Sequence, residues 1–221
     1  MNGTQVRDPM NFKHYIVAVL PFILPVVQQA DAGVLYNNLG AQTYFSDHIT
    51  GTGAQAFGPL YASFSTGAFA TALTDLKLRL GADDPADGGS FAVSLLSDAS
   101  LHPGAVLASL GTLLDSALSS VQSGVIDIPI STPIALTADT RYWIELSGDN
   151  TSATWAYSLD LSGAGVAAEY YDNAGGVYAN NSSDGPGAYQ MSVTTVPEPF
   201  SGALFLSGLV GIGVIRRRNP S

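Results

Sequence analysis

The sequence predicts an all-β protein, an antiparallel β-sandwich of jelly-roll-like form, flanked by an N-terminal signal peptide and one short C-terminal transmembrane helix. Three observations carry the prediction. Apolar residues alternate with polar ones at period two in many short runs, Gly, Asn, Asp and Ser clusters separate those runs, and two long apolar stretches stand apart at the ends. The chain of 221 residues divides into a signal peptide (1–32), a β-sandwich domain (33–195) and a C-terminal segment (196–221) whose apolar run covers 200–215.

The first apolar stretch follows Lys13 and His14 and runs from Tyr15 to Val27, with Ala30-Asp31-Ala32 two glutamines later. A basic start, a short apolar run and small residues at an A-x-A site make a secretory signal peptide, cleaved between Ala32 and Gly33. Pro21 and Pro25 argue against a buried core helix, because each costs about 3 kcal/mol inside one. Translation from Met10 would give a more conventional signal, since residues 1–9 add Asp8 and nothing that export needs.

The body follows as strands. Asp75-Leu76-Lys77-Leu78-Arg79-Leu80 alternates charge with leucine, so one face is buried and the other wet. Phe91, Val93 and Leu95 repeat the pattern, then Ile126, Ile128 and Ile130, with Pro129 marking an edge or a strand end. Tyr142, Ile144 and Leu146 share a face opposite Arg141, Trp143 and Glu145. Trp155, Tyr157 and Leu159 form another candidate, followed by 166–171 and by Tyr189, Met191 and Val193. Weaker strands at 34–39 and 61–64 bring the expectation to about nine or ten, a spacing that favours a sandwich. Residues 105–120 stay open between a short helix and an irregular strand pair. Val106, Leu107, Leu110, Leu113, Leu114 and Leu118 fit a helical stripe, but Gly111 and the Pro103-Gly104 turn oppose it.

Composition excludes several classes of function. Cysteine is absent, which removes thiol chemistry, disulfides and cysteine-ligated metals. The formal charge is −10, and the stretch from Gly33 to Val196 holds three basic residues against fifteen acidic ones, so phosphate backbones are repelled and no nucleic-acid partner is expected. Only His48 and His102 follow the signal peptide, and no Gly-x-Ser-x-Gly elbow is present. The expectation is a protein that is not an enzyme, with no catalytic residue, metal site or cofactor. Asp83, Asp84 and Asp87 read as a hairpin turn, since position twelve counted from Asp83 is Ser94, where an EF-hand loop needs an acid. Glu145 and Glu169 are the body's glutamates, and neither stands in a recognisable catalytic frame.

Aromatic residues supply the binding candidate. Trp143 faces away from the apolar side of its strand, while Tyr170, Tyr171 and Tyr178 flank Gly- and Asn-rich loops. Together they form a candidate surface on which sugar rings stack, with exopolysaccharide as the partner. The competing expectation is that these rings fill the core and that Trp143 lies beneath a loop.

The C-terminal segment opens on Val196-Pro197-Glu198-Pro199, continues with an uncharged run at 200–215 and closes on Arg216-Arg217-Arg218. Sixteen residues span about 24 Å at 1.5 Å each. A hydrocarbon core of roughly 30 Å therefore requires the arginines to snorkel. By the positive-inside rule they stay in the cytoplasm while the body lies beyond the inner membrane. The prolines bias Glu198 toward extended backbone and remove donors that would pair with the body.

This ordered triplet of features resembles the PEP-CTERM sorting signal of Gram-negative, biofilm-forming bacteria. The resemblance implies that Pro197, Glu198 and Pro199 are recognised by an exosortase-type processing protease of the membrane and that Arg216, Arg217 and Arg218 retain the chain there. It further implies transient residence in the inner membrane, then release to the envelope surface or extracellular matrix. The body is similar to the choice-of-anchor R type domain through Tyr36-Asn37-Asn38-Leu39, Ser97-Asp98, Pro103-Gly104 with Val106-Leu107, and the stretch 138–144. That similarity implies a sandwich and export, and no reaction.

Overall fold

The structure, a computed structural model, describes residues 33–49, 57–120, 122–159, 164–165, 167–173, 176–180 and 187–197. The signal peptide, Ala30, Ala32, Glu198, Pro199, the apolar run 200–215 and Arg216 to Arg218 lie outside the described residues. No helix of the described residues is long and apolar enough to cross a membrane.

The described chain is all-β. Its strands are β1 (Gly33–Asn37), β2 (Phe45–His48), β3 (Leu60–Ser65), β4 (Thr71–Ala82), β5 (Ser90–Asp98), β6 (Pro103–Leu114), β7 (Gly124–Ile128) and β8 (Ile134–Leu136). After them come β9 (Arg141–Asn150), β10 (Ala153–Ser158), β11 (Ala164–Gly165), β12 (Tyr170–Asn173), β13 (Gly176–Ala179), β14 (Ala188–Tyr189) and β15 (Met191–Pro197). A single 3-10 turn among the described residues, Asp115–Ala117, follows β6.

Two antiparallel sheets share one core. The first runs β11-β1-β15-β4-β10-β14, with β2 on β10 and with β7 and β8 along the free flank of β4; the second runs β13-β12-β3-β9-β5-β6. The leucine alternation of β4 places Leu76, Leu78 and Leu80 fully inside, against Ile144, Leu146, Val93 and Leu95 of the second sheet's apolar face within one hydrophobic cluster. At the junction between β14 and β15, buried Gln190 ties three strands together. Its backbone carbonyl accepts from Arg79 N and from the Trp155 indole, while its side-chain amide donates to the carbonyls of Asn38 and Ala41.

Residues 103–114 form a strand, not a helix. β6 lies at the rim of the second sheet and pairs with β5 through three register shifts. Each inserts residues that break the period of two, so apolar side chains recur at mixed spacings that mimic a helical stripe. Val106, Leu107 and Leu114 are consequently more than half exposed, where a core-facing helix would bury such residues. Gly111 sits at one shift with φ +145, a conformation that favours glycine. Strand β10 stops at Ser158, leaving Leu159 exposed, and β7 stops at Ile128, just before Pro129.

Candidate functional site

Two regions gather the residues to which the sequence points. The first is one end of the first sheet. β15 is an interior strand there, with β1 on one side and β4 on the other. Gly33, the first residue of β1, stands opposite Thr195, and Pro197, the last residue of β15, stands opposite Thr71. The Thr71 hydroxyl donates to the Val196 carbonyl at 2.7 Å, and Pro197 is itself exposed. The body is therefore paired and hydrogen-bonded up to the first proline of the motif. The chain upstream of Gly33 and the chain downstream of Pro197 join the body at this same end, through neighbouring antiparallel strands.

The second region is aromatic, and it does not assemble as expected. Trp143 is fully buried: it points to the outer face of the second sheet, yet its indole donates to Asp98 Oδ1 at 2.8 Å beneath the β5–β6 turn. That burial corrects the expectation that its ring is open for stacking. Tyr170, on the same outer face, is half-buried, and the Arg141 guanidinium lies 4.9 Å from its ring centre. Beside it, Glu169 accepts from Ser63 at 2.5 Å and pairs with Arg141 at 3.4 Å. Tyr171 faces the opposite way, into the core, and stacks on half-buried Tyr178 at 5.2 Å. The four aromatic candidates thus divide between the two faces of the second sheet.

Tyr171 and Tyr178 belong to a different aromatic series. Tyr171 meets Tyr189 edge to face at 5.6 Å, and Tyr189 stacks on Trp155 at 4.9 Å. Tyr189 also contacts Tyr157, which leads to Tyr44 at 6.1 Å and then to Phe45 at 5.0 Å. The series begins at fully buried Trp155 and ends at Tyr44 and Phe45, which are 57% and 63% exposed. Phe45 shares its face of β2 with Asp47, whose carboxylate accepts from the Tyr189 hydroxyl at 2.6 Å. Sequence reasoning missed Tyr44, Phe45 and Asp47 because β2 has no apolar alternation; its place comes from pairing with β10.

Among the described residues no group of three or more His, Cys, Asp or Glu side chains converges as a metal site. His48 pairs with exposed Asp83 at 3.3 Å, away from His102 in the turn between β5 and β6. No family model matches the chain, and a search of curated proteins returns no match.

Burial raises the pKa of Asp47 and of Glu169, against the opposing hydrogen bonds from Tyr189 and Asn173 on the first and from Ser63 and Arg141 on the second. Both acids bind their proton more tightly folded than unfolded. Their stabilising contribution is fully present below the ordinary values of 3.8 and 4.5 and is lost as pH rises through the raised folded values. The Asp47→Asn variant keeps an acceptor for Tyr189 and removes one titration. Denaturation midpoints measured from about pH 4 to pH 7 should accordingly fall less steeply for Asp47→Asn than for the parent. Parallel slopes would show that Asp47 titrates as it does in the unfolded chain.

Proposed function

We propose that this is a non-enzymatic exported β-sandwich protein, sorted to the cell envelope surface or the extracellular matrix through its C-terminal segment. On this reading the chain crosses the inner membrane behind its signal peptide and is held there briefly by the run 200–215. An exosortase-type protease then cleaves at the Pro197-Glu198-Pro199 element. The observation that carries the reading is the order of three features in one short segment: a Pro-Glu-Pro element, an uncharged apolar run of sixteen residues and a triple arginine. The course of β15 supports it, because this strand carries the chain out to exposed Pro197, the first residue of the element.

Glu198→Ala separates sorting from folding, since on this reading Glu198 belongs to the recognition element and not to the β-sandwich core. The variant should show the parent's denaturation midpoint while the tail-less species disappears and chains retaining Arg216 to Arg218 accumulate in the membrane fraction. Normal maturation of the variant would leave the Pro-Glu-Pro element with no part in sorting.

A second reading is a carbohydrate-binding module for exopolysaccharide. It is favoured by the exposed pair Tyr44 and Phe45 leading inward toward the Asp47 carboxylate, since aromatic faces beside hydrogen-bonding groups suit sugar rings. Tyr44→Ala should then weaken retention on the producer's exopolysaccharide in affinity electrophoresis. Unchanged mobility would count against this second reading.

A further inference from the structure

We infer that β6 is the edge by which one copy of this chain meets a second, the two strands pairing antiparallel about a two-fold axis. β6 ends the second sheet, and among the described residues no strand pairs with its outer edge. Such an edge presents a row of backbone N–H and C=O groups that a further strand can take up. Proteins blunt these edges by shortening them, charging them, placing proline along them or bulging them. The other strands at the ends of the two sheet orders are short: β11 and β14 have two residues each and β13 has four. β6 has twelve residues, no charged side chain and a proline only at its first position. Its three register shifts bulge it, yet its last four residues pair with β5 in unbroken register. Val106, Leu107 and Leu114 are more than half exposed, so the edge adds apolar surface to its backbone groups.

Charge selects the occupant. The stretch from Gly33 to Val196 holds fifteen acidic residues against three basic ones, so two copies repel wherever their carboxylates meet. At β6 none meet. The acids that bracket the strand are turned inward: Asp98 accepts from the Trp143 indole and from Leu101 N, and Asp115 is buried. β7, at the flank of β4, instead carries exposed Asp127. A charged partner finds no counter-charge along β6, whereas an identical strand turned end for end matches donor to acceptor. Because both copies use the same edge, the contact closes as a dimer and does not run on into a filament. Twelve residues a side is about half of the roughly twenty to thirty in a standard interface, so the dimer is weak and forms at high local concentration.

The absence of cysteine makes the test direct. In the full chain in its producing cells, each position from 105 to 114 is replaced by cysteine in turn, with Val125→Cys on exposed β7 as the reference, and diamide is added. Variants that keep the parent's denaturation midpoint are compared. A disulfide needs Cα atoms within about 7 Å, and each step away from the two-fold moves the two equivalent residues about 6.8 Å further apart along the strand. Disulfide-linked dimers, read by non-reducing electrophoresis and intact mass, should therefore peak at one or two neighbouring positions, several-fold above Val125→Cys. Adding Val106→Lys with Leu114→Lys, or Leu107→Lys in place of whichever bears the cysteine, should lower that peak by about fivefold or more, because like charges then face each other across the pair. Cross-linking no higher along β6 than at Val125→Cys, or spread evenly over 105–114, would overturn the inference. So would a peak whose mass is that of this chain joined to a different protein.

Discussion

Replacing Asp115 by alanine should destabilise the folded body by about 3–5 kcal/mol. Asp115 is fully buried at the 3-10 turn after β6, and its carboxylate organises a corner built from segments distant in sequence. Oδ1 accepts from the Thr151 hydroxyl and Oδ2 from Ser152 N, both at 2.6 Å, while Asp115 N donates to the Gly89 carbonyl. A Cβ on Gly89 would lie 2.6 Å from Asp115 Oδ2 and 2.7 Å from the Asn150 carbonyl, so glycine is what allows β5 to begin this close. Alanine in place of Asp115 leaves the Ser152 N–H inside the protein with no acceptor, which is the expensive half of a lost hydrogen bond. An asparagine side chain keeps one acceptor there and turns an amide donor toward groups that themselves donate, so Asp115→Asn should fall between parent and alanine. Urea denaturation monitored by tryptophan fluorescence gives all three values. A loss below about 1 kcal/mol for alanine would show that water satisfies this corner.

Trp155→Ala should cost about 3–5 kcal/mol, chiefly through lost burial and the void left behind. Trp155 is completely inside, stacks on Tyr189, stands between Asp47 and Leu80 in the first sheet and donates its indole N–H to Gln190 O at 3.0 Å. Its removal takes away the ring on which Tyr189 stacks, and Tyr189 carries the hydroxyl that satisfies Asp47. Because those groups are in contact, Trp155→Ala and Tyr189→Phe should be non-additive by more than about 0.5 kcal/mol in a double-mutant cycle. Additive losses would mean that the stack and the Tyr189–Asp47 hydrogen bond are energetically separate.

The features legible in the sequence are those set by local period. Leu76, Leu78 and Leu80 alternate with charged neighbours and are all buried; Tyr142, Ile144 and Leu146 behave likewise. The pattern fails where pairing geometry adds residues, as in β6, and where a strand has no apolar side to declare, as in β2. Trp143 shows a third limit. Period two places it on the outer face correctly, but only the tertiary fold brings Asp98 to its indole. The pairing of Gly33 with Thr195 was not legible, because it joins residues at opposite ends of the body. The same distance hides the bond from Tyr189 to Asp47, which spans 142 positions.

Intact-mass and terminal-peptide analysis of the protein recovered from its native cells bears on both ends of the chain in one experiment. The expected species is a mature chain that begins at Gly33, ends within 196–199 and is found outside the inner membrane. A steady-state population that retains Arg216 to Arg218 would refute sorting through the C-terminal segment and make the protein a resident membrane-anchored domain.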